Sequence, residues 1–186
     1  MNEKFLLLLF AAFPACAVEL HIQFGALERM LTEQAFSQEG RRYVKGDQTK
    51  KCNFAYLEKP RIEGDNGRLR IRAKFSGRSS LNIAGQCVGM GDAFDVVILA
   101  VPQYKDGSLR LQEVKVLSEG KTGYYIRRVC TALEASLARD FKYPLEVEAK
   151  KTLEAPGREM RKFNVPEIRV TTDALVLVVD FDLTIK

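Results

Sequence analysis

Few residues of this chain belong to the types that carry out catalysis. His21 is the only histidine, so a Ser-His-Asp or Cys-His arrangement would need it as the base. It lies in an alternating apolar and polar segment, residues 18–24, which is typical of a half-buried strand, and no G-x-S-x-G motif accompanies it. Asp180 and Asp182 lie two residues apart, as on the solvent side of a strand. We therefore predict that the protein is not an enzyme.

The sequence also lacks the spacing patterns of common metal and cofactor sites. It contains no C-x-x-C pair, and residues 63–67, the nearest approach to a calcium loop, are better explained as a hairpin turn. Gly85, Gly89 and Gly91 precede a strand pattern, whereas a phosphate-binding loop precedes a helix. We therefore predict neither a metal ion nor a cofactor.

A run of basic residues is the clearest charge pattern. Four of them occupy alternate positions of one predicted strand: Arg68, Arg70, Arg72 and Lys74. They would project from one face within about 20 Å of each other. The face either binds lipid headgroups or an anionic membrane surface, or it is a solvated face interleaved with acids from neighbouring strands. The net charge of +5 is small and no aromatic residues interleave with the arginines, so we predict no nucleic-acid binding.

The N-terminal segment predicts export. Residues 1–17 combine a short apolar core with the small-residue ending Ala15-Cys16-Ala17, as in a secretory signal peptide. Cleavage after Ala17 would release a soluble periplasmic protein that begins at Val18. Alternatively, Cys16 would be lipidated and would anchor the protein to an envelope membrane.

Three cysteines would remain in the exported chain, and an oxidising compartment favours a disulfide between two of them. Cys52 and Cys87 each flank a predicted strand, whereas Cys130 falls on the apolar stripe of a predicted helix. We predict a Cys52–Cys87 disulfide and a buried Cys130.

The hydrophobic pattern predicts an α+β fold over residues 18–186, in one domain. A short strand and a helix come first, followed by antiparallel hairpins with a turn at Asn66-Gly67, a bulge or edge position at Pro60 and a bulge near Gln112-Glu113. Residues 79–91 are predicted to be a looser stretch, and residues 145–163 to be irregular. A hairpin over 165–185 closes the chain.

The longest predicted helix spans residues 122–142. Its apolar stripe can be buried only against the concave face of the sheet, so we predict a curved antiparallel sheet wrapped around one long helix in the C-terminal half. An apolar cavity between them would be lined by residues of the sheet and the stripe: Leu69, Ile71, Phe75, Ile98, Ile126, Val129, Leu133, Leu137 and Phe141.

Several segments resemble one known family in their order: residues 20–36, residues 101–111, the long helix and the strand start at 165–168. These features resemble the small bacterial envelope lipoproteins that adopt a half-barrel form of the TULIP (BPI-like, tubular lipid-binding) fold. The resemblance implies a non-catalytic envelope protein that binds a lipid or another apolar ligand. The alternative is an envelope protein–protein interaction module with a solid core.

Overall fold

The computed structural model describes residues 18–185 as eight strands and three helices. The predicted signal peptide over residues 1–17 and the lipidation site Cys16 lie outside this range. None of the helices in the described range is long and apolar enough to cross a membrane. The elements in chain order are β1 Val18–Gln23, α1 Phe24–Gln34, β2 Arg41–Lys45, β3 Asn53–Asp65, β4 Arg68–Ile83, β5 Gln86–Lys105, β6 Ser108–Glu119, α2 Tyr124–Asp140, α3 Leu145–Leu153, β7 Arg158–Val170 and β8 Ala174–Ile185.

The larger sheet is a five-stranded antiparallel meander in the order β2-β3-β4-β5-β6, curled into a half-barrel. Its tight turns place two successive residues at positive φ, which suits the right-handed twist of a hairpin. Asn66 and Gly67 have φ values of 50° and 78°, and Asp106 and Gly107 have 51° and 72°. The Asn-Gly turn predicted from the sequence is therefore confirmed.

Two of the three register shifts in this sheet lie where bulges were predicted. The β3–β4 register shifts between Glu58 and Arg61, in a segment that contains Pro60. The β5–β6 register shifts at a segment of β6 that contains Glu113. Both predicted bulges are confirmed. At the first bulge the side chain of Glu28 on α1 accepts a 2.7 Å hydrogen bond from the backbone N–H of Ile62. Helix α1 thus supplies a hydrogen-bond acceptor for a backbone N–H group beside the point where the strand pairing is interrupted.

The smaller sheet has the order β1-β8-β7, so the first strand of the described range pairs with the last. Val18 opposes Val179, Leu20 opposes Leu177, and apolar side chains share one face of the sheet. Because β8 is the central strand, its residues 174–177 and Val179 are almost completely buried, and Val178 is partly buried.

The predicted single long helix is wrong. Residues 18–185 instead contain three short helices and are mostly strand, arranged in two sheets. Helix α2 ends at Asp140 because Tyr143 turns to pair with Leu109 at the edge of β6, through backbone hydrogen bonds of 2.8 and 3.0 Å. Pro144 then precedes α3, so the segment predicted to be irregular, residues 145–163, contains a helix and the start of β7.

A single apolar cluster joins the two sheets and the helices. Phe163 of β7 meets Tyr104 of β5 edge-on, with ring centroids 6.0 Å apart. Helix α2 lies against β6, where Glu134 accepts a 2.9 Å hydrogen bond from the backbone N–H of Val116. The edge of β6 is thus partly covered by the helix, which also closes one side of the half-barrel.

Candidate apolar binding site

An open groove lies between α3 and the apolar face of the three-stranded sheet, and we call it the α3 groove. Its volume is about 520 Å3, within the range of small-molecule sites. Its lining is apolar except for Tyr143, Glu148 and Thr152. The apolar lining residues are Val18, Leu20, Ile22, Met30, Leu145, Ala149, Leu153, Phe163, Leu177, Val179 and Phe181.

Helix α3 presents one face to this groove because its lining residues recur at helical spacing. Leu145, Ala149 and Leu153 are four residues apart and lie on one side of the helix. Glu146 in the first turn and Lys150 in the last turn complement the helix dipole. The sequence prediction missed this helix, although the four-residue spacing and the proline before Leu145 were available signals.

The floor and open side of the groove come from β1 and β8. Alternating apolar residues on both strands were recognised in the sequence, but they were assigned to a sheet packed on the long helix. In the structure Val18 and Leu20 remain 49% and 48% exposed, because α3 covers only part of this face. Apolar surface that is left open in this way marks ligand or partner sites.

The few polar groups of the groove are mostly engaged. Glu148 forms a 2.8 Å ion pair with Lys151. Burial raises the pKa of the Tyr143 phenol above its ordinary value, and its backbone is fixed by the pairing with Leu109. The groove thus offers an apolar interior with little polar chemistry.

A second apolar pocket, the α2 pocket, lies between α2 and the half-barrel, with a volume of about 310 Å3. Val129 and Leu133 of α2 face Phe75 of β4 across it, and Lys45 and Arg78 are the charged residues of its lining. This is the place where the sequence predicted a cavity. It is smaller than the α3 groove.

Two small cavities lie in the interior between these pockets. One of about 40 Å3 adjoins the α3 groove and shares Ile22, Met30, Tyr143, Leu145 and Leu177 with it. The other, of about 20 Å3, lies under the C-terminal end of α2, and Leu31 and Phe141 line both small cavities. Those two side chains therefore separate the groove from the space beneath α2.

The nine predicted cavity residues are divided among these spaces. Phe75, Val129 and Leu133 line the α2 pocket. Ile71, Ile98, Leu137 and Phe141 line the 20 Å3 cavity. Leu69 and Ile126 are 3% and 6% exposed and belong to the packed core. The structure therefore does not bring the nine residues together around one large cavity.

The basic face of β4 is interleaved with carboxylates. Arg68 pairs with Glu113 at 3.1 Å. The next two arginines make longer ion pairs, Arg70 with Asp65 at 3.3 Å and Arg72 with Glu63 at 3.9 Å. Lys74 stands opposite Asp95 in the β4–β5 register and opposite Glu58 in the β3–β4 register. These neighbours offset much of the positive charge that the sequence pattern indicates.

The residues examined for catalysis lie apart from the groove interior. The His21 side chain is 57% exposed, and its Nε2 lies 3.4 Å from Glu19 on the same strand. Asp180 pairs with Lys162 at 2.8 Å across β7 and β8. Within residues 18–185, no three His, Cys, Asp or Glu side chains are grouped so that they could hold a metal ion.

The cysteines are arranged as predicted. Cys52 and Cys87 form a disulfide, and Cys130 is a buried free thiol on α2. Burial raises the pKa of the Cys130 thiol, with the Glu134 charge acting in the same direction. A thiol that is buried and fully protonated behaves as a small hydrophobic side chain.

Comparison with known proteins adds little to this description. No protein-family model and no curated protein sequence matches the chain. A crystal structure of a lipopolysaccharide binding protein is similar over 90% of this chain and 50% of that chain, with 9% sequence identity and a TM-score of 0.27. This chain thus spans about half the length of that structure, and a TM-score this low does not establish a common fold.

Proposed function

We propose that this protein binds the acyl tail of a lipid, or an apolar ligand of similar shape, in the α3 groove and performs no reaction on it. The observation that carries the proposal is the groove itself, an open space of about 520 Å3 with an almost wholly apolar lining. Val18 and Leu20, which are half exposed, extend the apolar lining of the groove to its open side.

The energetics favour a chain-like ligand. Each methylene group moved from water into an apolar site contributes about 0.8 kcal/mol, so ten of them contribute roughly 8 kcal/mol before the costs of ordering. Binding of this kind needs no polar specificity. It therefore suits a groove with few polar residues, of which Glu148 is already paired to Lys151.

Export to an oxidising compartment is part of the proposal. Disulfides form and persist outside the reducing cytoplasm, and the Cys52–Cys87 bridge supports this location. An envelope location would also place the protein close to lipids.

The test is a pair of tryptophan substitutions on α3, combined with a binding measurement. Ala149 lines the groove, whereas Val147 on the same helix is 50% exposed and lies outside the lining. Ala149→Trp should fill the groove and weaken the binding of a fluorescent fatty acid at least tenfold, while Val147→Trp should bind as the unsubstituted protein does. Native mass spectrometry of protein from its own envelope should show one lipid for each chain.

Two outcomes would overturn the proposal. If the unsubstituted protein carries no lipid and takes up no fatty acid, the interaction-module alternative replaces it. If Ala132→Trp, which fills the α2 pocket, abolishes binding while Ala149→Trp does not, the ligand lies under α2 rather than under α3.

A further inference from the structure

The end of the half-barrel carries a two-stranded arm. Strand β3 pairs with β4 only as far as Asn53 opposite Ser79, and β6 pairs with β5 only from Asp95 onwards. We call residues 79–90 the arm. From Leu81 outwards its strand partners lie within the arm itself, as Leu81 pairs with Val88 and Ile83 with Gln86. The looser stretch predicted over residues 79–91 is therefore wrong, since β4 and β5 extend through it.

One face of the arm is apolar and open to solvent. Strand alternation places this face in line with the concave face of the half-barrel, since Phe75 and Phe94 belong to the same side of β4 and β5. Four side chains of the arm face are exposed: Leu81 by 73%, Ile83 by 56%, Val88 by 56% and Met90 by 60%. They form an apolar surface that no described element covers.

The arm is held in place from its opposite face. The disulfide joins Cys87 to Cys52 in the segment before β3, and Cys87 opposes Asn82 rather than an apolar residue. Ser80 donates hydrogen bonds from its backbone N–H and its Oγ to the carbonyl oxygen of Cys52, at 3.0 and 2.6 Å. The apolar face is therefore presented on a fastened strand pair and not on a loose loop.

The charged residues around the arm indicate which kind of partner could bind its apolar face. Residues 79–90 contain no charged side chain. Arg78 flanks the arm, and Lys50 and Lys51 directly precede the disulfide-bonded Cys52, and all three are exposed. Asp92 at the base of the arm is paired with Lys121, and the Asp47 carboxylate interacts with Lys50. An apolar surface with a basic margin matches the interface of a membrane that contains anionic lipids.

We propose that the arm is a membrane-docking element, which inserts Leu81, Ile83, Val88 and Met90 into the interface of an anionic bilayer. The lysines beside the disulfide and Arg78 then lie at the level of the headgroups. This docking does not depend on a ligand in the α3 groove. It would nevertheless place the α2 pocket next to the membrane, because Gly77 and Ser79 on the same face of β4 line that pocket.

Fluorescence provides a direct test because the chain contains no tryptophan. Ile83→Trp introduces one reporter on the arm, and Leu117→Trp introduces a control at an exposed apolar position on β6, which is 55% exposed. With vesicles of phosphatidylcholine and phosphatidylglycerol in a 7:3 ratio, emission of Ile83→Trp should shift to the blue and be quenched by brominated acyl chains. Emission of Leu117→Trp should stay unchanged.

Vesicle flotation supplies the second measurement. The double variant Leu81→Ser/Val88→Ser should lower the partition coefficient between vesicles and water at least tenfold. Each apolar side chain that no longer inserts lowers this coefficient by about tenfold. Leu117→Ser should partition as the unsubstituted protein does. Lys50→Gln/Lys51→Gln should reduce the preference for vesicles with phosphatidylglycerol over pure phosphatidylcholine severalfold. Circular dichroism confirms that each variant is folded.

The proposal is overturned if the unsubstituted protein does not float with these vesicles, or if the arm variants float as well as it does. A third result would also overturn it. If sedimentation shows that the unsubstituted protein is an oligomer, that Leu81→Ser/Val88→Ser is a monomer and that neither protein binds vesicles, the arm binds a second copy of the chain. Ala149→Trp should float normally. Failure of docking and failure of groove binding are thus distinguishable.

Discussion

Gly64 in β3 lies directly against the carbonyl oxygen of Thr171 in the turn between β7 and β8. A Cβ atom built on Gly64 would be 1.7 Å from that oxygen, and the next closest atom is the Thr171 carbonyl carbon, at 2.9 Å. This backbone contact is one of the places where the two sheets meet. Phe24 reinforces it, since its backbone N–H donates a 3.2 Å hydrogen bond to the carbonyl oxygen of Asp173 in the same turn.

Gly64→Ala should therefore destabilise the protein. The methyl group cannot be accommodated without moving backbone, and overpacking of this kind typically costs about 1–3 kcal/mol. We expect a lower midpoint in urea unfolding followed by circular dichroism. Gly25→Ala is the matched control, because nothing lies within 4 Å of its Cβ position and it is in a helix. That change should leave stability unchanged or raise it by about 0.5–1 kcal/mol. Equal effects of the two substitutions would contradict the sheet contact.

Glu19 and Arg169 connect the two outer strands of the small sheet, β1 and β7, across the central strand β8. The Arg169 side chain, followed by His21, holds the pKa of the Glu19 carboxyl below its ordinary value. Because the folded-state pKa is lower than the unfolded one, this contribution to stability is fully present above the unfolded pKa of about 4.3. It is lost as the pH falls through the folded pKa.

Acid should therefore weaken the attachment of β1, and with it the open side of the α3 groove. In an NMR titration the Glu19 carboxyl should show a depressed pKa, and Arg169→Gln should return that pKa towards its ordinary value. Amide exchange in β1 should accelerate in the same acidic window. A Glu19 pKa that does not respond to Arg169→Gln would contradict the assignment.

The disulfide should stabilise the protein mainly by restricting the unfolded chain. The two cysteines are separated by 35 positions in the sequence, and a closed loop of that length corresponds to about 4 kcal/mol in the chain-entropy view. Cys52→Ala/Cys87→Ala should lower the free energy of unfolding by up to about this amount. Amide exchange should increase most in the arm. Unchanged protection of the arm would mean that the Ser80–Cys52 hydrogen bonds alone hold it.

Cys130 should resist thiol reagents as long as the protein is folded. It is 8% exposed, and burial raises the pKa of its thiol, so little thiolate is available for reaction. Modification by N-ethylmaleimide should follow the population of unfolded molecules across a urea titration. Rapid labelling in the absence of urea would show that α2 opens locally.

Local signals in the sequence were sufficient for features that depend on neighbouring residues. The Asn66-Gly67 turn and the bulge at Pro60 follow from backbone preferences of single residues, and the bulge near Glu113 follows from a slip in the alternation of apolar positions. All three were predicted. The pairing of Cys52 with Cys87 followed from their positions beside strands and from the helical stripe that holds Cys130. Each of these inferences needs little knowledge of the tertiary structure.

Features that depend on distant parts of the chain were not predictable in the same way. The pairing of β1 with β8 joins opposite ends of the described chain. No short segment of the sequence therefore indicates that the strands are divided between two sheets. Pro144 was taken only as the end of a long helix, although proline is equally suited to begin one, as it does before α3. Because that helix was missed, the apolar residues of β1 and β8 were placed against α2, and the larger groove was overlooked.

Phe141 separates the α3 groove from the interior, since with Leu31 it lines both small cavities. Phe141→Ala should join the groove to the space beneath α2. We expect a loss of about 2–3 kcal/mol in the free energy of unfolding, less than for a fully buried phenylalanine because this ring is only half buried.

The same substitution should change which ligands the groove prefers. Phe163→Ala is the matched control, because that half-buried ring lines the groove but neither small cavity. In a fatty-acid displacement series, Phe141→Ala should shift the best chain length upwards by several carbons, since the added depth buries more methylenes. Phe163→Ala should weaken all chain lengths alike. If Phe141→Ala also weakens all lengths equally, the two small cavities do not extend the groove, and bound chains end at the Phe141 ring.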